Sequence, residues 1–261
     1  AYAVLWSSIS ANSTRGDIMF KAVALVCFIA QIFAVRHYIK IMYPTLGWNT
    51  LLSKLLCSSL FTAVAVLGIL DGGMTVFSKF MLVGFICSLL GDGFLHMYPK
   101  LGSVYVNYAL GGLSFLAGHI FFITAILMPN ILVFCSSTPR MIIQIALAVL
   151  LDAAVMIFLC RKMKLGRFLL PVAVYGLVLM FMVVNAFSLG ISAASESVRG
   201  AAAMTLTLGL GSVCFAASDI VLATDFFSGG KDIKKKKANI ILYYSGQMLM
   251  AASLFATVLV K

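Results

Sequence analysis

Charge is scarce in this chain of 261 residues: Asp, Glu, Lys and Arg make up only 10% of it, and eight residues are acidic. With 62% hydrophobic residues and a mean hydropathy of +1.09, so little charge excludes a soluble domain and marks an integral membrane protein. No CxxC pair occurs among the six cysteines (Cys27, Cys57, Cys87, Cys135, Cys160 and Cys214), which read as small packing residues inside apolar runs. His37, His96 and His119 lie far apart, without HxxxH or HExxH spacing. A zinc hydrolase site is therefore not expected, and no metal or cofactor is called for. No basic segment precedes the short opening run Ala1–Trp6, so no cleavable signal is expected. The cations behind the net charge of +11 sit in short interhelical loops, which argues against nucleic-acid binding.

Long apolar runs are what the chain has. Stretches of about 20 residues, enough to cross a bilayer as a helix, fall near 18–39, 50–70, 76–98, 104–128, 139–160, 168–190, 200–224 and 238–260. Gln31 interrupts the first; Gln144 and Asp152 interrupt the fifth. Short connections predict an all-α, polytopic bundle of eight transmembrane helices forming one domain over residues 1–261. Lys and Arg then orient it. Loops 1–2, 3–4, 5–6 and 7–8 hold Arg36, Lys40, Lys100, Arg161, Lys162, Lys164, Arg167, Lys231 and Lys234 to Lys237, twelve in all. The other side holds five: Arg15, Lys79, Arg140, Arg199 and Lys261. The odd-numbered loops are expected to face the cytoplasm, with both termini opposite. The Lys231–Lys237 run reads as an anchor against anionic lipid headgroups.

Two aspartates stand inside the apolar runs, in Leu89-Leu90-Gly91-Asp92-Gly93-Phe94-Leu95 and Ala216-Ala217-Ser218-Asp219-Ile220-Val221-Leu222. A carboxylate in hydrocarbon costs roughly 2.5–3.5 kcal/mol on insertion scales, so both need a reason. The orientation puts Asp92, Asp219, Lys54, Tyr175, Tyr243, Tyr244 and Gln247 in the cytoplasmic half, with His119 deeper. The third and seventh runs are four apart, so a 4+4 internal repeat, related by an axis along the membrane normal, would bring the aspartates toward each other.

These residues resemble the lysoplasmalogenase family, also called YhhN or transmembrane protein 86. The resemblance rests on Gly91-Asp92-x-Phe94-Leu95, on Leu170-Pro171-Val172-Ala173-Val174-Tyr175-Gly176, and on Ser218-Asp219-x-x-Leu222-Ala223-x-Asp225-x-Phe227. Gly112-Leu113-Ser114-Phe115 leading to His119, Tyr243-Tyr244-x-x-Gln247, and Lys54 followed by Leu55 match in order from about residue 50 to the C-terminus. The chain departs from the family in having Leu56-Cys57 where Pro often follows the lysine, and Phe122 in place of a Tyr. The first forty residues carry no family motif. The resemblance implies an eight-helix membrane enzyme, expected in the endoplasmic reticulum. It would act on a lysophospholipid in the bilayer, cleaving the vinyl ether of lysoplasmalogens to a fatty aldehyde and glycerophosphocholine or glycerophosphoethanolamine.

That chemistry suits two carboxyls in one dry pocket. A proton on the β-carbon of a vinyl ether gives an oxocarbenium ion, which water captures; glycoside hydrolysis uses paired carboxyls in the same way. Asp92 and Asp219 are the expected catalytic pair, with no basis in sequence for saying which donates the proton. His119 is read as a partner for a carboxylate or water. Lys54 either pairs with an aspartate or binds substrate phosphate. Tyr175, Tyr243, Tyr244 and Gln247 are candidate phosphate or water ligands, Asp225 is a supporting residue, and Asp71 and Asp152 are structural. The rival reading is a proton- or cation-coupled transporter using the same aspartates, against which stands the lack of Pro- or Gly-broken helices in equivalent places.

Overall fold

A chain segment surrounded by lipid must satisfy its own backbone hydrogen bonds, and a helix does so within itself. The computed structural model follows that rule. It describes residues 2–42, 47–97, 104–132, 137–198 and 200–256, which form eight long helices and, among the described residues, no strand. Cys135, Lys100, Arg199, Lys261 and the last predicted residues of the eighth run lie outside the described residues, as does the side chain of Arg15.

The helices are α1 (Tyr2–Ile41), α2 (Trp48–Gly72), α3 (Val76–His96), α4 (Val104–Leu132), α5 (Thr138–Lys162), α6 (Leu169–Ser195), α7 (Ala201–Phe227) and α8 (Ile233–Ala256). Seven of them contain spans long and apolar enough to cross a membrane. The eighth, α8, is the more polar, and its Tyr243, Tyr244 and Gln247 are buried in the protein rather than turned to lipid. Two boundaries differ from the sequence reading. Helix α1 begins at Tyr2 rather than near residue 18, and α8 begins at Ile233, so Lys234–Lys237 form helical turns rather than a loop. Asp232 explains the second difference: its Oδ1 accepts the Lys234 and Lys235 amides at 2.9 and 3.3 Å and starts the helix there. Elsewhere the starts are encoded locally. Thr75 and Ser78 exchange hydroxyl–amide bonds of 3.1 and 2.8 Å at the head of α3, and α5 opens with a proline in its first turn.

Inner and outer helices separate clearly. Only 6% of the apolar window of α1 and 17% of that of α5 is buried, against 28–44% for the other five windows, so α1 and α5 line the outside. The contacts follow a four-helix shift. Helix α1 packs on α2 as α5 does on α6; α3 packs on α4 as α7 does on α8; α2 meets α3 as α6 meets α7; and α8 meets α2 as α4 meets α6. The α1–α8, α3–α8 and α5–α7 contacts have no shifted counterpart among the described residues, so the two halves match in their main helix pairs and not throughout. At the centre, Phe61, Phe85, Phe122, Phe215 and Tyr244 are fully buried, with Phe85 and Phe122 ring centroids 5.1 Å apart.

Candidate active site

Asp92 lies in the penultimate turn of α3 and is 1% exposed. A carboxylate so buried persists only with partners, and three side chains supply them. Lys54 and Ser58, one turn apart on α2, share the face toward α3. Lys54 Nζ sits 3.0 Å from Asp92 Oδ1, and the Ser58 hydroxyl donates to Oδ2 at 2.6 Å. From α8, the Tyr243 hydroxyl donates to the same Oδ2 at 2.9 Å. Tyr244 backs this group by donating to the Lys54 carbonyl at 3.3 Å. Lys54 is thus placed in an ion pair with Asp92.

Asp219 occupies the equivalent place on α7, with different partners. Tyr175, on α6, donates to its Oδ2 at 2.6 Å. His119 Nε2 on α4 stands 3.0 Å from the Tyr175 hydroxyl and 3.6 Å from Asp219 Oδ2. Because Tyr175 spends its hydrogen on Asp219, its oxygen accepts from His119, which puts a hydrogen on Nε2. Ser218 Oγ lies 3.3 Å from Asp219 Oδ1 but directs its own hydrogen to the Phe215 carbonyl at 2.7 Å. No lysine or arginine pairs with Asp219 among the described ion pairs, and its side chain is 13% exposed where that of Asp92 is 2%.

The four-helix shift therefore extends into the site. Helices α2 and α8 hold Asp92 on α3; α6 and α4 hold Asp219 on α7. Aromatic rings join the two groups: Tyr243 packs on Phe215 at 5.3 Å, and Phe215 packs on His119 at 4.7 Å. Gln247, one turn beyond Tyr243, donates to Ser88, one turn before Asp92, at 3.0 Å. Gln247 Oε1 and His119 Nδ1 are buried without a protein partner, and each offers a lone pair to water or substrate.

The remaining residues sort themselves by contact. Asp225 closes the α7–α8 turn: its Oδ1 accepts the Asp232 amide at 3.1 Å and its carbonyl accepts the Gly230 amide at 2.8 Å. Lys235 donates to the Thr224 carbonyl, while Lys231, Lys234 and Lys237 are exposed. Asp71 pairs with Lys21 at 3.5 Å, and Asp152 is buried against Gly176. His96 is 7% exposed and meets the Tyr38 ring edge-on. Ser58 and Ser88 escaped the sequence reading. Their only signal is position, Ser58 one turn after Lys54 and Ser88 one turn before Asp92, and small residues there are ordinary helix-packing material.

Comparison with protein-family models matches the YhhN family over residues 49–254. Comparison with curated proteins and with solved structures found no match. The matched span contains both aspartates and, among the described residues, the side chains bonded to them, and it leaves α1 outside. With a family match over more than half its length and an all-helical membrane bundle around the motif residues, the chain belongs to the YhhN family, the family of lysoplasmalogenases.

Proposed function

We propose that the chain is a lysoplasmalogenase, hydrolysing the vinyl ether of lysoplasmenylcholine or lysoplasmenylethanolamine by carboxylate acid/base catalysis. The observation that carries this reading is the unequal dressing of two equivalent aspartates. Both Asp92 oxygens face donors, one of them a lysine ammonium, which suits an ionised carboxylate. Asp219 has one strong donor, Tyr175, and no lysine or arginine partner among the described ion pairs, which makes it the candidate proton donor of the two.

In this scheme Asp219 gives its proton to the β-carbon of the vinyl ether as the C=C electrons form that C–H bond. The resulting oxocarbenium ion is stabilised by the Asp92 carboxylate. Water adds to the cationic carbon, and its proton passes to a carboxylate. The hemiacetal hydroxyl then gives its proton to a carboxylate as the carbon–oxygen bond to glycerol breaks, releasing aldehyde, and the glycerol oxygen takes the proton of the carboxylic acid that had accepted it from water. His119 and Gln247 orient the water, and His119 holds Tyr175 on Asp219. The lysine-rich side is proposed to face the cytoplasm of an endoplasmic reticulum membrane, with Lys231–Lys237 against anionic headgroups.

Purified protein in detergent is the test. Lysoplasmenylcholine should yield aldehyde and glycerophosphocholine in equal amounts, followed by reducing the aldehyde with a coupled dehydrogenase. A transporter needs two compartments, so no turnover in micelles by folded protein would remove the hydrolase reading.

A further inference from the structure

An open cavity of about 710 Å³ lies where the end of α1 meets the start of α2, on the lysine-rich side. Its polar lining is His37 of α1 with Asn49, Thr50 and Ser53 of α2. None of these residues contacts either aspartate directly. Yet Thr50, Lys54 and Ser58 follow one another at four-residue intervals, so one face of α2 leads from the cavity to Asp92. The acidic residues of the two helices, Asp17 and Asp71, lie in the halves away from it, where Lys21 pairs with Asp71, whereas Arg36, Lys40 and Lys54 lie within one or two turns of its lining.

We propose that this cavity is the subsite for the phosphodiester headgroup of a lysophospholipid, a reading that rests on the hydrolase assignment above. Lys54 is drawn to Asp92 at 3.0 Å and the Thr50 hydroxyl donates to the Gly47 carbonyl at 2.7 Å, so the donors left for a substrate phosphate are the His37 imidazole, the Asn49 amide and the Ser53 hydroxyl. Length supports the placement. Ser53 and Ser58 are five residues apart, about 7.5 Å along the helix axis. The path from phosphate through glycerol to the sn-1 ether oxygen spans about 6–7 Å when extended. A phosphate held beside Asn49 and Ser53 therefore sets the ether at the axial level of Ser58 and Asp92, and the glycerol must pass about 100° around α2 to reach the Thr50–Lys54–Ser58 face. His37 belongs to α1, outside the residues that match the family.

Asn49→Asp is the informative variant. It adds a carboxylate to the cavity wall, and an acidic residue in the first turn of a helix favours the helix, so folding is not the variable. KM for lysoplasmenylcholine should rise about tenfold or more with kcat nearly unchanged. The thermal shift given by lysophosphatidylcholine in detergent should shrink in parallel, and Ser53→Ala should raise KM to a lesser extent. An Asn49→Asp protein with wild-type KM and lipid shift would overturn the subsite. Should wild type release no aldehyde while Asn49→Asp still weakens lysophosphatidylcholine binding, the hydrolase reading fails and the subsite stands. An equal shift from inorganic phosphate alone would overturn the assignment to a lipid headgroup.

Discussion

Asp219→Asn protein is expected to fold, remain in the membrane and lose aldehyde release by about 10²–10⁴-fold, the range associated with removing a general acid. The amide keeps the shape of the carboxyl and still accepts from Tyr175, so the structural cost is small. Asp92→Asn should lose as much activity but for two reasons that can be separated. It removes the carboxylate facing the cation, and it leaves the Lys54 ammonium against a neutral amide in a site where Lys54 is 13% exposed. Breaking a buried pair from one side costs roughly 3–5 kcal/mol. The double variant Lys54→Met/Asp92→Asn should recover most of that stability and none of the activity, which a double-mutant cycle of melting temperature and turnover would reveal. A single Asp92→Asn variant with near-normal turnover would take Asp92 out of the chemistry.

Gly246→Ala should be among the most damaging single-methyl changes at the described glycines. A Cβ at Gly246 would come 2.8 Å from both the Gly211 carbonyl oxygen and the Phe215 amide nitrogen. Those are backbone atoms of α7, which cannot turn aside as a side chain would. The α7–α8 seam would have to open, and Tyr243, one turn before Gly246, would move off Asp92 and Phe215. A loss of about 3 kcal/mol is expected, at the upper end for overpacking, read as a fall in melting temperature in detergent. Gly112→Ala is the control: nothing lies within 4 Å of its Cβ, and alanine favours a helix over glycine by up to about 1 kcal/mol. That variant should melt at or above wild type.

Most of the architecture was open to reading because lipid imposes a length and a composition on each span. The eight runs and the two aspartates needed no more than that. The start of α8 was harder, since four lysines resemble a loop until Asp232 is recognised as the cap that begins the helix. Lys54 shows the limit at the site. A lysine one turn inside a membrane helix suits a phosphate and a carboxylate equally well, and only the packing of α2 on α3 decides. Ser58 was missed for a related reason: a small hydroxyl in a helix is common, and its importance comes from the 2.6 Å contact with a carboxylate 34 positions away. The likeness between the halves was legible as two short Asp motifs. Its extension to the partners was not, because Lys54 and Tyr175 are chemically unlike although they come from corresponding helices.

The central claim, that an aspartic acid protonates carbon, is tested most directly by running the reaction in D₂O and trapping the aldehyde at once as its hydrazone. The account predicts a single deuterium on the carbon next to the former carbonyl, with glycerophosphocholine formed in equal amount. An aldehyde without that deuterium would contradict it.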